Sequence, residues 1–398
     1  MRALCWTSGG ELAVRQVPDP ELRNEHDVIV QVRRSATCGA DLPLLAGRVT
    51  GLAADDVLGH EFVGDVVEVG PAVRRHRVGD RVVVCASVAC GGCWYCRQGL
   101  PSCCDNGSTE PAEAEAEWGH PVAGGFGQPR AAGGFAGSHA EYVRVPYADF
   151  GAFTVPEAVG DDRALFASDA APAGWMGAEG GEVRPGDVVA VWGAGAVGQL
   201  AARSAWLLGA DRVVVVDRHP ARLLMARQHS GAETIDLRHT DVAAELRELS
   251  GGRGPDVCVE AVGGLAAEHR SLADRFTGRT RMPEAIREAV YACRKGGNVF
   301  VLNSGARFVD AFPTGAAVHK GLTVRGARQH GQRYIPMLLD RMARGELRTE
   351  HLATHHFPLE RAVEGYALFR DRPEECLRAV FTPQEPHSPP GDTAVRVA

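Results

Sequence analysis

The stretch Asp187-Val188-Val189-Ala190-Val191-Trp192-Gly193-Ala194-Gly195-Ala196-Val197-Gly198 decides how the chain reads. A β-branched apolar run opens into Gly-x-Gly-x-x-Gly. A helical pattern follows from Gln199 to Leu208, then a second strand from Arg212 to Val216 that Asp217 closes. Three glycines at this spacing are weak on their own; between a strand and a helix, with an acid about twenty residues on, they mark a dinucleotide site. The glycines let a pyrophosphate approach a helix N-terminus, where unpaired N–H groups attract anions. Gly193, Gly195, Ala196, Val197 and Gly198 are therefore the candidate cofactor residues, with Asp217 placed to accept from both ribose hydroxyls. The Asp217 charge repels a 2′-phosphate and favours NAD over NADP, while Arg218 and Arg222 stand where an arginine can hold that phosphate.

Downstream the alternation continues with strands at Pro255 to Glu260, Gly297 to Leu302 and Leu322 to Gly326. Strands alternating with helices indicate a doubly wound parallel sheet, an α/β fold. The arginine-rich stretch near 266–284 has no assignment. From Gln332 the pattern gives a helix to Arg344, a short strand at Thr354 to Phe357, a helix from Leu359 to Phe369 and a final strand from Arg378 to Phe381. The tail from Pro383, with its Pro-Pro-Gly, is expected to be loose.

Upstream the chain is β-rich: strands at Arg2 to Trp6, Leu12 to Gln16 and Val28 to Val32, broken by Gly9-Gly10 and Pro18-Asp19-Pro20. Cys38, followed by a glycine that frees the backbone to turn, and His60, in Gly59-His60-Glu61-Phe62-Val63-Gly64, both sit at strand ends. A lone cysteine or histidine is more often structural, but the two together favour a metal-ligand reading, since neutral imidazole and thiolate are the commonest transition-metal ligands. Cys90, Cys93, Cys96 and Cys104 stand at spacings that suit tetrahedral zinc in a closed structural site; a redox Cys-x-x-Cys pair or an iron–sulfur cluster is the competing reading. Residues 105–139 are expected to form a mobile insertion, with a lid over a substrate cleft as the sharper alternative. Asp169 lies on an apolar helical stretch, where a carboxylate needs a partner such as zinc.

With 398 residues, 45% apolar and 23% charged, the chain is long enough for two domains and a normal core. A net charge of −7 argues against a nucleic-acid or anionic-membrane partner. No long apolar segment opens the chain, so a cytoplasmic location is expected, and eleven cysteines then point to metal or redox chemistry.

With these residues in hand, the chain resembles the medium-chain zinc-dependent alcohol dehydrogenases from about residue 1 to residue 382. Asp169, the Val145-Pro146-Tyr147-Ala148-Asp149 segment and the insertions are similar to the glutathione-independent formaldehyde dehydrogenase branch. The resemblance implies a GroES-like β-rich catalytic domain over 1–165 with a structural lobe at 85–105, a Rossmann domain over 166–328, a return to the catalytic domain over 329–382, and a tail from 383. It implies two zinc ions per chain: a catalytic one on Cys38, His60 and Asp169 with Glu61 as alternate ligand, and a structural one on the four cysteines. NAD, a small-molecule substrate and a homodimer or homotetramer complete the expectation. The implied reaction is hydride transfer between NAD(H) and an alcohol, aldehyde or ketone.

Two departures stand against that pattern. Ala40 occupies the position where the family usually has a proton-passing hydroxyl and Pro43 that of a relay histidine, and Ala173 replaces a threonine near the nicotinamide. An enzyme that retains NAD and recycles the hydride internally, as an aldehyde dismutase, isomerase or lyase does, is therefore the alternative. Trp175, Met176 and the aromatic residues of the insertion are expected to wall the substrate cleft.

Overall fold

The computed structural model describes residues 1–7, 11–46, 51–262, 279–281, 284–302, 308–310 and 312–383. The Gly9-Gly10 break, most of the arginine-rich stretch and the tail lie outside the described residues.

The strand Val188–Trp192 sits at the centre of a parallel sheet. Arg212–Asp217 and then Glu233–Asp236 lie on one side of it, with Val257–Glu260, Asn298–Val301 and Thr323–Gly326 on the other. Numbered along the chain, these six strands run 3-2-1-4-5-6, the doubly wound order in which ligands bind where the strand order reverses. Val189 and Val191 pack into the core on one face of the sheet, Ala190 and Trp192 on the other. Burial on both faces is why the strand reads as a continuous apolar run.

A second sheet joins the two ends of the chain. Val28–Ala36 pairs antiparallel with Glu61–Val69, with Tyr142–Val145 and with the C-terminal Ala379–Thr382, while Arg81–Val84 and Ala152–Thr154 extend the far edge. His355–Pro358 lies parallel to Ala379–Thr382. The final strand thus returns across more than 300 residues to sit beside the strand that leads to Cys38. Between the sheets, Val83 and Val380 share one apolar cluster with Trp175, Leu200, Ile335 and Leu338.

This core overturns one expectation. Trp175 and Met176 are 4% and 2% exposed within it, and the Arg341 guanidinium lies 4.9 Å from the Trp175 ring centre, so neither forms a substrate wall. The 105–139 insertion also differs from a mobile loop. Its helix, Pro111–Trp118, is mostly exposed, but Phe126 packs edge-on against Phe62 with ring centres 5.4 Å apart, and Phe135 is buried beside it. The aromatic residues drive the second half of the insertion into the core because each buries a large apolar area. Among the described residues no helix is long and apolar enough to cross a membrane.

Candidate metal and cofactor centre

Four side chains from three distant segments converge. Cys38 follows the strand Val28–Ala36, His60 and Glu61 open the strand Glu61–Val69, and Asp169 precedes the helix Ala170–Gly180. One ligand atom from each lies within 4.8 Å of the others. Cys38 Sγ is 3.8 Å and His60 Nε2 4.0 Å from Asp169 Oδ2. Strand pairing of Ala36 with Glu61 brings the first two segments together, and the backbone N–H of Ala86 donating to the Ser168 carbonyl ties in the third. The Asp169 side chain is 18% exposed against 6% for His60 and 0% for Glu61, so the cluster opens on the Asp169 side.

The donor set fits a cation. Burial pushes the Cys38 thiol well up and raises the Glu61 carboxyl to about 7, because negative charge is poorly solvated there. A bound divalent ion reverses that penalty, and sulfur, imidazole and carboxylate are the ligands zinc takes. Glu61 Oε2 has no hydrogen-bond partner and is free to turn inward.

The residues behind the cluster escaped the sequence reading. Arg378, 4% exposed, reaches Glu61 Oε1 at 3.3 Å and Cys38 Sγ at 3.7 Å. Asp41 accepts from the Cys38 backbone N–H at 2.8 Å, and its other oxygen stands 3.4 Å from His60 Nδ1, an electrostatic contact not aligned as a hydrogen bond. Gln329 donates to Asp169 Oδ1 at 3.2 Å. Only one local signal pointed to them: Asp41 and Arg378 are charges beside apolar runs, and both are buried. Gly39 has open space around the position of a Cβ, so contacts within the chain do not require glycine there.

Ala40, Pro43 and Ala173 cannot pass a proton, and the Thr37 hydroxyl is fully buried, accepting from the Ala379 N–H at 3.0 Å.

The second cluster gathers Cys90, Cys93, Cys96 and Cys104, again within 4.8 Å. Cys93 and Cys104 sulfurs are 3.9 Å apart, close to the ~3.8 Å that a tetrahedron with zinc–sulfur bonds of about 2.3 Å requires. Backbone N–H groups of Gly92 and Cys93 donate to Cys90 Sγ, and those of Cys90 and Asn106 to Cys104 Sγ, as thiolates need. Cys103 is exposed and stands outside the cluster. Four sulfurs this close can hold one ion, and no disulfide links them.

At the switch point Gly193 has φ +100°, and a Cβ on Gly198 would fall 1.7 Å from the Gly193 carbonyl, so the tight turn requires both. A Cβ on Gly195 would meet nothing, and the helix Ala196–Leu207 begins there without a side-chain cap. That open, donor-rich end suits a pyrophosphate. Asp217 Oδ2 accepts from Ala194 N–H at 2.6 Å, while its Oδ1 accepts from the N–H groups of Arg218 and His219. Arg222 Nε donates to the Pro373 carbonyl at 2.8 Å.

Comparison with known proteins gives the same picture. The sequence profile described as "Alcohol dehydrogenase GroES-like domain" matches residues 24–157, and that described as "Zinc-binding dehydrogenase" matches 196–279. An uncharacterised zinc-type alcohol dehydrogenase-like protein of Bacillus subtilis is 32% identical over 96% of this chain and 100% of its own length. The chain belongs to the zinc-type alcohol dehydrogenase family. The solved alcohol dehydrogenase from Thermus sp. ATN1 superposes on this zinc-type dehydrogenase with a TM-score of 0.82 at 32% identity, covering 96% and 99% of the two chains. The glutathione-independent formaldehyde dehydrogenase of Pseudomonas aeruginosa is 37% identical over 67% of each chain. As a member of the family, the protein is a GroES-like plus Rossmann oxidoreductase whose cofactors are zinc and a nicotinamide dinucleotide.

Proposed function

We propose that this enzyme transfers hydride between NAD(H) and a small alcohol, aldehyde or ketone, with Cys38, His60 and Asp169 holding the catalytic zinc and Glu61 as alternate ligand. The observation that carries the reading is the convergence of those four side chains within 4.8 Å, open on one side only. When bound, zinc would supply a Lewis acid for an alcohol oxygen and the nicotinamide a hydride donor or acceptor. Asp41 and Gln329 hold the ligands in orientation, and Arg378 balances the buried Glu61 charge. Gly193 to Gly198 seat the pyrophosphate and Asp217 takes the ribose hydroxyls, which selects NAD.

Cys90, Cys93, Cys96 and Cys104 hold the structural zinc, which staples residues 85–105 and takes no part in the chemistry. The chain divides into a catalytic domain of residues 1–165 and 329–382 and a Rossmann domain of 166–328. The strand Thr323–Gly326 is exposed along its whole length at the edge of the parallel sheet, with Val318 71% exposed nearby. Such an edge is a ready surface for pairing, and two-fold continuation of the sheet into a homodimer covers it. A cytoplasmic location is part of the same proposal.

Ala40 in place of a relay hydroxyl, with Pro43 in place of a relay histidine, favours a second reading, in which NAD stays bound and the hydride is recycled. Following NADH released per enzyme alongside substrate loss, with added NAD and a panel of primary alcohols and aldehydes, separates the two. Release matched one for one to substrate oxidised establishes the dehydrogenase. Substrate loss with at most one NADH per site establishes recycling and overturns the first reading.

A further inference from the structure

Behind His60 runs a line of buried polar groups that no dinucleotide or zinc motif accounts for. Asp41 Oδ2, besides the Cys38 N–H, lies 2.9 Å from the Tyr366 hydroxyl; that hydroxyl lies 2.8 Å from His139 Nε2, His139 Nδ1 lies 2.8 Å from Ser35 Oγ, and Ser35 Oγ lies 2.8 Å from Ser138 Oγ. Asp41, Tyr366, His139, Ser35 and Ser138 are each no more than 2% exposed.

Proton counting gives the line one direction. A carboxylate only accepts, so Tyr366 spends its single proton on Asp41, and its oxygen takes the Nε2–H of His139. His139 Nδ1 is then an acceptor and receives the Ser35 hydroxyl, which in turn accepts from Ser138. Burial pushes the His139 imidazole down to about 3, so the ring is neutral and this single tautomer satisfies all its partners. Space is reserved for it as well: Gly59, the residue before His60, has φ +97°, and a Cβ there would fall 2.6 Å from His139 Nδ1.

We propose that Tyr366 and His139 are positioning residues for the catalytic metal, fixing Asp41 against Cys38 and His60 through this one-way chain of hydrogen bonds. The inference rests on the reading that Cys38, His60 and Asp169 hold that metal. Tyr366 comes from the C-terminal helix Ala362–Asp371 and His139 from the segment before Tyr142–Val145, so the ligands are braced by parts of the chain that contribute none of them.

The test measures metal affinity, with the four-cysteine site as internal control. Zinc and cobalt(II) binding to the full chain are followed by chelator competition, and the cobalt absorption bands report ligand geometry. Partners of this kind change metal affinity by about 10- to 100-fold. Tyr366→Phe is therefore expected to weaken the catalytic site about 10-fold or more and alter its cobalt spectrum, leaving the structural site unchanged. His139→Leu should do the same, whereas His139→Gln, whose amide donates with one atom and accepts with the other, should restore both readouts. A Tyr366→Phe site within about twofold of wild type would overturn the proposal. Should that variant fail to fold, equal affinity in His139→Leu and His139→Gln would overturn it equally. A wild-type chain that binds only one metal, on the cysteines, would instead sink the catalytic-site reading and this inference with it.

Discussion

Replacing Arg378 by methionine, of similar length and without a charge, tests what holds the inner wall of the site together. The side chains of Arg378 and Glu61 are 5% and 0% exposed and 3.3 Å apart. At an effective dielectric of ~20, unit charges at that separation attract by about 5 kcal/mol. Removing one partner of a buried pair costs about 3–5 kcal/mol, because the other charge is left without compensation. Because burial already holds the Glu61 carboxyl at about 7, the loss is read at about pH 9, where that group is ionised, and is expected to be roughly 2–3 kcal/mol for Arg378→Met in protein whose catalytic position has been emptied by a chelator. The double variant with Glu61→Gln should recover most of it, since a neutral amide needs no counter-charge. With zinc restored the loss should shrink by roughly half, because the cation then lies beside the carboxylate. The assay is urea unfolding of wild type, both single variants and the double variant, run with and without zinc and read as a double-mutant cycle. A single variant within about 1 kcal/mol of wild type, or a double variant no better than Arg378→Met, would refute the argument that Arg378 is there to neutralise Glu61.

Two further outcomes follow from the same geometry. Asp217→Ser removes the charge that opposes a 2′-phosphate while leaving a hydroxyl near the Ala194 N–H, so the preference for NAD over NADP in kcat/KM should fall at least about tenfold, the equivalent of ~1.4 kcal/mol; an unchanged ratio would mean that discrimination lies elsewhere. Cys104→Ser deletes a sulfur that accepts two backbone N–H groups and should lower bound zinc from two ions per chain to one, with lower thermal stability of the lobe, as metal counting and a melting curve would show; retention of both ions would exclude the four-cysteine site.

The two most local features of the chain were legible without the fold. Gly193 to Gly198 reads as a strand-to-helix turn because its glycines meet steric demands within a few residues, and the four cysteines from Cys90 to Cys104 lie close enough along the chain to share one ion. The α/β alternation likewise follows from periodicity, and the parallel strand order agrees with it. The insertion and the expected substrate wall misled for one reason. Apolar side chains such as Trp175 and Phe126 look alike in sequence whether they line a cleft or fill a core, and only packing against Arg341 or Phe62 distinguishes the two.

What lies behind the ligands is a matter of tertiary structure alone. Arg378 reaches Glu61 across 317 positions and Tyr366 reaches Asp41 across 325, separations at which no spacing rule carries information. Cys38, His60 and Asp169 are recognisable as residue types suited to zinc, and the sequence by itself determines that such ligands are present. Their approach to within 4.8 Å depends on the return of the final strand to pair with Val28–Ala36 and on the buried charges that brace them from behind. Residue chemistry is written locally; the desolvation that makes each buried charge need a partner exists only once the chain has folded around it.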